Sequence, residues 1–439
     1  MQVKVVKFGG SSLADAEHFR QVASIIRADE ARRYVVPSAP GKRFPEDTKV
    51  TDLLYTCYEM VRRGEDMTPV FEQIRARYNG IIEELGLDCS ILEDELTFVR
   101  GALLHNSGRD YAASRGEYLN GIVLAKYLGF DFIDAANVIF FCDDGSFDAE
   151  HTNAILSEVL QRHPRAVIPG FYGSMPNGTI KTFSRGGSDI TGSIVARAAQ
   201  ADLYENWTDV SGFLMADPRV VKGAQPIETI TYRELRELSY MGAGVLHEDA
   251  IFPVRFAGIP INIRNTNQPG DEGTMIVAQT DKYDSEHVIT GIAGKKGFSV
   301  ITIEKDMMNA EIGFGRRVLE VLEEEGVSFE HLPSGIDTMS VVLSTQALEE
   351  HRDHMLNRIC TKVNPDSISV EDGLALIAVV GRGMVKAKGT AARVFRAVAD
   401  ASVNIRMIDQ GSCELNIILG VDDHDFERAM NAIYAEFVK

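Results

Sequence analysis

No apolar run in the sequence approaches the roughly 18 residues a membrane helix needs, and the first residues, charged at Lys4 and Lys7, include no apolar run long enough for a secretion signal. Cysteine is sparse. Cys57, Cys89, Cys142, Cys360 and Cys413 stand far apart with no CxxC pair, which argues against zinc sites and a disulfide framework and for reduced thiols. HExxH, GxxxxGK[ST] and GxGxxG are all missing, so zincin, P-loop and dinucleotide-fold readings have no support. Positive charge is in deficit, 45 Lys and Arg against 64 Asp and Glu for a net charge of −19. That balance disfavours nucleic acid and anionic membrane as partners. It also means that any phosphate site must be built from local donors and a divalent cation. Together these absences predict a cytoplasmic globular protein.

With 439 residues, 45% of them hydrophobic and 25% charged, the chain can bury sizeable cores, and its length suggests about three domains. The opening "VKVVKFGGSS" runs an apolar strand into two glycines with Lys7 just before the turn. Phe19, Val22, Ala23 and Ile26 then recur at helical spacing. Strand, glycine turn and helix start together suit an anion, phosphate being the commonest. Alone, the stretch fits equally an ordinary tight turn with a solvated lysine. A second Gly-Gly turn, "KTFSRGGSDITGSIVARAAQAD" at 181–202, again leads into a helix. There Arg185 offers a fork for a carboxylate, and Asp189 reads either as a helix cap or as a partner for Lys7 and a metal. A third stretch, "ENWTDVSGFLMADPRVV" at 205–221, holds the only tryptophan among turn residues, and by itself reads as a loop after a strand with Trp207 in the core.

Candidate strands at 3–7, 34–38, 131–133, 137–141, 165–170 and 202–206 alternate with helical patterns at about 15–29, 50–63, 67–85, 90–104, 110–128, 150–162 and 190–200. This order predicts an α/β domain with a mainly parallel sheet covered by helices, and ligands at the carboxyl ends of the strands. Segment 39–49, "APGKRFPEDTK", reads as a mobile loop.

The C-terminal third repeats itself. A shift of 76 residues matches Gly297 to Gly373, Gly313 to Gly389, Arg317 to Arg393, Val327 to Val403 and Gly335 to Gly411. Each copy reads strand, helix, strand, strand, helix: 297–303, 314–326, 327–333, 338–344 and 346–359, then 374–380, 387–401, 403–408, 413–420 and 424–436. A ferredoxin-like (βαββαβ) unit needs one more strand, for which 288–294 and 367–371 are candidates.

"KFGGSS", "FSRGGSD" and "WTDVSGFLMADPR", in this order and at these separations, resemble the aspartokinases of the amino acid kinase fold, and the resemblance covers the whole chain. It implies a three-layer αβα kinase domain at 1–282 and two ferredoxin-like ACT domains at 288–371 and 372–439, with strand 288–294 completing the second. The implied reaction is ATP- and Mg²⁺-dependent phosphorylation of the β-carboxylate of L-aspartate, without a fused dehydrogenase. By matching position, Lys7 binds the transferring phosphoryl group, Gly9, Gly10 and Ser11 cradle it, and Asp189 organises the charges. Ser38, Thr51, Glu117 and Arg185 take aspartate, and Thr208, Asp209 and Arg219 take the nucleotide. No side chain is assigned as a metal ligand. The chain departs from the family in "GAGVLHEDA": Gly244 stands where a lysine is common and Glu248 where proline is. Lys222 is the candidate replacement charge.

The family architecture further implies a homodimer through the ACT domains, or a tetramer, and an amino acid effector, L-lysine. Its pocket would be Met308, Gly313, Phe314, Gly315, Glu330 and Ser334, the turn amides taking the carboxylate and Glu330 facing the amino groups. Glu330 reads otherwise as an exposed residue on an edge strand. Two alternatives stand beside this reading: another amino acid kinase of the same fold, or an ACT-type sensor without activity.

Overall fold

The computed structural model describes residues 2–184, 186–243, 252–280 and 288–438. Contacts divide the chain into two compact units. The first holds Met1–Phe213, Pro226–Arg233 and Val245–Thr280, and the second Leu214–Gln225, Glu234–Gly244 and Asp281–Lys439.

The first unit is built on eight strands: β1 (Lys4–Phe8), β2 (Arg32–Pro37), β3 (Asp131–Phe132) and β4 (Ala166–Val167), then, beyond a separate hairpin of β5 (Tyr172–Ser174) and β6 (Ile180–Thr182), β7 (Leu203–Thr208), β8 (Thr229–Thr231), β9 (Ile261–Asn265) and β10 (Thr274–Val277). Their order in the sheet is β3-β4-β2-β1-β7-β9-β10-β8, and every pair is parallel except β9 with β10. Consecutive residues of β1, Val5 and Val6, point to opposite faces, and both are fully buried. Both faces of the sheet are therefore covered, as an apolar parallel strand requires. Helices Ala16–Arg27, Val50–Arg62, Thr68–Glu84, Glu93–Leu104, Arg109–Leu128, Ala149–Arg162 and Gly187–Ala198 lie within about three residues of the periodicity reading.

Two local expectations fail in this unit. Residues 137–141 form no strand: Ala135–Asn137 is a 3-10 turn, and Phe140 and Phe141 make single bridges to Ser174 and Phe147. Segment 39–49 is pinned rather than loose. The Arg77 guanidinium, nearly buried, donates to Asp47 Oδ2 at 2.6 Å, to Gly41 O at 2.6 Å and to Ala14 O at 2.9 Å. Arg43 closes on the same Asp47 from the other side, and these two arginines, Arg43 foremost, hold the Asp47 carboxyl well below the usual carboxylate range.

In the second unit, β11 (Gly291–Glu304), β12 (Thr338–Ser344), β13 (Ser367–Val380), β14 (Met407–Asp409) and β15 (Asn416–Asp422) make one antiparallel sheet, in the order β12-β11-β13-β15-β14. The short strand candidates at 288–294 and 367–371 are thus the leading parts of two 14-residue strands, β11 and β13. Gly291–Lys295 pairs with Leu376–Val380, and Phe298–Glu304 pairs with β12 and with Ser367–Leu374. The repeat-matched glycines sit where each strand bends. Gly297 and Gly373 have φ of +88° and +80° with open space where a Cβ would be, so glycine is needed for its backbone and not for lack of room. Segment 327–333 is not a strand, being joined to β12 by a bridge from His331 to Val342. No helix among the described residues is long and apolar enough to cross a membrane.

Candidate active site

Lys7, one residue before the end of β1, is in register with Asn206 of β7 on one side and Val36 of β2 on the other. It is a buried lysine, 8% exposed, and such a charge requires partners. Its Nζ lies 2.6 Å from Asp189 Oδ1 and 3.4 Å from Asn206 Oδ1, while Asn206 Nδ2 donates to Asp189 Oδ1 at 2.9 Å.

The two glycine turns flank this pair. A Cβ on Gly9 would lie 3.7 Å from the Lys7 ammonium. One on Gly10 would meet Ala39 O at 2.8 Å, because Gly41 N–H donates to Gly10 O at 2.8 Å and draws the two backbones together. Ser11 is exposed, whereas Ser12 is buried with its hydroxyl 2.7 Å from that of Thr266. On the other side Gly186 takes a left-handed conformation (φ +57°) and starts helix Gly187–Ala198 without a side-chain cap. The side chain of Asp189 is therefore spent on Lys7 and not on capping, and the first N–H groups of the helix have no capping side chain. Gly187 packs so tightly on the Phe171 ring that a side chain there would clash.

Ser38 follows β2. Its N–H donates to Phe8 O at 3.0 Å, and its carbonyl accepts from Asn120 Nδ2 at 2.6 Å. Helix Arg109–Leu128 carries Asn120 and Glu117, and a Cβ on its Gly116 would meet Ala39 Cβ at 2.7 Å and Thr51 Oγ1 at 3.7 Å. Ser38, Thr51 and Glu117 thus belong to one neighbourhood beside the Gly10 turn. Glu117 is buried, and its Oε2 has no hydrogen-bond partner among the described residues. Burial pushes its carboxyl up to about 8, against the opposing pull of the Ala39 amide and the Arg115 charge. An unpartnered buried carboxyl of this kind suits an incoming cation.

Thr208 ends β7 and Asp209 follows it, the threonine hydroxyl donating to the Asp209 carboxylate at 3.2 Å. Arg219 and Lys222 belong to the second unit. Arg219 is exposed and forks onto Asp217. Arg185, Gly244 and Glu248 lie outside the described residues. Trp207 is core: it stacks on Phe8 at 5.9 Å and donates from Nε1 to the fully buried Glu205, which Arg32 pairs at 2.8 Å.

In the second unit, Met308 and Phe314 are buried, and Gly313 (φ +81°) starts helix Phe314–Glu324. Gly315 faces Met339, and the exposed Ser334 donates to Leu332 O. The Asn309 N–H donates to Ile336 O at 3.1 Å, joining the turn to the 334–337 loop. The Glu330 carboxylate accepts from the Tyr240 hydroxyl at 2.5 Å. Asn206, Asn120, Arg77 and Tyr240 are the site neighbours that sequence reasoning missed. Asn120 comes three residues after Glu117 in "SRGEYLNG", where an amide on a helix face that buries Glu117 is the available signal.

The sequence pattern of the amino acid kinase family matches residues 2–265, and that of an ACT domain matches residues 377–437. Aspartokinase 3 of Bacillus subtilis (strain 168) is 40% identical over 449 residues, covering 99% of this chain and 98% of that protein. The crystal structure of Clostridium acetobutylicum aspartate kinase superposes with a TM-score of 0.92 at 53% identity, over 100% of both chains. Escherichia coli aspartokinase III is 25% identical over 100% of both chains, with TM-scores of 0.76 for its complex with aspartate and ADP (R-state) and 0.75 for that with lysine and aspartate (T-state). With the kinase-family pattern over more than half of the chain and full-length likeness to these enzymes, the chain belongs to the aspartokinases of the amino acid kinase family.

Proposed function

We propose that this chain transfers the γ-phosphoryl group of ATP to the β-carboxylate of L-aspartate, giving 4-phospho-L-aspartate and ADP, the first step toward the aspartate-derived amino acids. The observation that carries the reading is the buried Lys7–Asp189 pair, 2.6 Å apart between two glycine turns at the carboxyl ends of parallel strands. A β-carboxylate oxygen forms its bond to the γ-phosphorus as the bond to the β,γ-bridging oxygen breaks, and the electron pair leaves with ADP. The attacking group is already ionised, so no general base is needed, and catalysis rests on positioning and charge neutralisation. Lys7 and the backbone of Gly9, Gly10 and Ser11 hold the phosphoryl oxygens, and Asp189 holds Lys7. Glu117 takes the substrate ammonium, Arg185 its α-carboxylate, and Ser38 and Thr51 supply hydroxyls. Thr208, Asp209, Arg219 and Lys222 serve the nucleotide. ATP enters as its magnesium complex. Such an ion takes most of its ligands from phosphate and water and needs only one or two carboxylates, a demand that Asp189 and Asp209 fit.

Residues 1–282, less the segments 214–225 and 234–244 that group with the second unit, form the catalytic domain, and 288–371 and 372–439 the two ACT domains, through which the chain dimerises in the cytoplasm. L-Lysine is the effector, its carboxylate on the Gly313 turn and its amino groups on Glu330. Support comes from the acid at position 330 and from the Escherichia coli relative solved with lysine and aspartate. The second repeat offers no equivalent. Its counterpart of Glu330 is Arg406, bound to Asp422 at 2.7 Å and to Glu371. One lysine per chain is expected.

The catalytic reading is tested by Lys7→Ala, which should lower kcat by about a hundredfold or more, the scale of one preorganised donor, while the protein still folds. Turnover within about fivefold of wild type would reduce Lys7 to a turn residue.

A further inference from the structure

We propose that Asn206 is a positioning residue for phosphoryl transfer: its amide fixes the shared geometry of the Lys7 ammonium and the Asp189 carboxylate. The proposal rests on the reading of Lys7 as the phosphoryl-side cation. Asn206 is 3% exposed and directly beside Lys7 in the β1–β7 register, so both side chains leave the sheet on one face. An ammonium can only donate and an ionised carboxylate can only accept. The amide therefore has one sense that satisfies both neighbours, Oδ1 toward Lys7 at 3.4 Å and Nδ2 toward Asp189 Oδ1 at 2.9 Å.

The consequence is a division of donors. Lys7 and Asn206 converge on the same Asp189 oxygen, Oδ1. One ammonium proton goes to Asp189 and a second faces the amide oxygen, leaving the third for a phosphoryl oxygen. Since β7 is laddered on both sides, to β1 and to β9, the amide is carried on backbone that cannot drift. Asp189 sits at the start of a helix with its side chain 18% exposed, and without Nδ2 it has freedom to swing and take Lys7 with it. An apolar residue at 206 would keep the volume and lose both contacts. A carboxylate there would place a second negative charge on Lys7, next to the arriving phosphate. The effect falls on kcat rather than on substrate affinity, because the amide touches neither substrate.

Full-length Asn206→Leu, with Asn206→Ala as the smaller substitute should leucine prevent folding, is compared with wild type in kcat and in KM for aspartate and ATP. The same change is made in the Lys7→Ala background. The expected result is a kcat lower by about tenfold or more, the scale of a small misplacement, with both KM values within about threefold. In the Lys7→Ala background the further loss should be under about threefold, because the two residues act as a unit. Asn206→Asp should lose more than Asn206→Leu. A folded Asn206→Leu or Asn206→Ala enzyme with kcat within about threefold of wild type overturns the proposal. So does an undiminished further loss in the Lys7→Ala background, or an Asn206→Asp enzyme as active as wild type. Full activity of Lys7→Ala alone would instead show that the underlying reading had failed.

Discussion

Aspartate should bind with release of a proton. Glu117 is buried with one oxygen unpartnered, and burial holds its carboxyl near 8, so at pH 7 only about one molecule in ten carries the charge that the substrate ammonium needs. Binding at pH 7 should therefore expel close to one proton per site. The apparent KM for aspartate should rise about fivefold from pH 8 to pH 7 and about ninefold more to pH 6, or about 50-fold in all. Calorimetry in buffers of different ionisation enthalpy reads the proton directly, and KM against pH reads the affinity. Glu117→Gln should abolish both signals and leave weak, pH-independent binding. The same group sets a stability slope. Its folded pKa lies above the unfolded value of 4.5, so the folded state keeps a proton that the unfolded chain has lost between those two values. Ligand-free stability then falls as pH rises from about 4.5 to 8, by a few kcal/mol at most. Glu117→Gln should accordingly melt higher than wild type at pH 8 and not at pH 5. Proton uptake or none at pH 7, together with a KM that is flat from pH 6 to 8, would refute the reasoning.

Arg77→Met should destabilise the first unit by about 3–5 kcal/mol, the scale for one partner lost from a buried pair, since Asp47, Gly41 O and Ala14 O all lose their donor; an unchanged thermal or urea midpoint would show that the 39–49 loop is held in some other way. Arg185→Lys keeps the charge and loses the planar fork, so KM for aspartate should rise steeply while KM for ATP moves little. Equal effects on the two substrates would remove Arg185 from the aspartate site. Glu330→Ala should keep uninhibited activity and relieve inhibition by lysine, a coupling of about 1–3 kcal/mol, and a mutant as sensitive as wild type, or inhibition by threonine alone, would contradict that pocket.

Helices such as Ala16–Arg27 and Arg109–Leu128 were legible because apolar spacing is a local signal. The strands β8, β9 and β10 were not, being three to five residues long and stabilised by pairing with distant segments. In the sequence 288–294 reads apart from 297–303 and 367–371 apart from 374–380, whereas a left-handed glycine, Gly297 or Gly373, lets each strand bend and continue, joining two repeat copies in one sheet. At the site, Lys7 and Asp189 could be named from their glycine turns, but their pairing spans the domain. Asn206 lies 199 residues from Lys7 in sequence and gave no local mark. Buried supports of this kind become visible only when the fold brings their partners together.

The most direct test of the central claim is to trap the acyl phosphate. The purified full-length chain is incubated with Mg·ATP, hydroxylamine and either L-aspartate or L-glutamate, while ADP is followed in parallel. The account predicts β-aspartyl hydroxamate formed one for one with ADP, only with aspartate, and lost in Lys7→Ala. ADP release without hydroxamate, or hydroxamate formed equally well from glutamate, would contradict it.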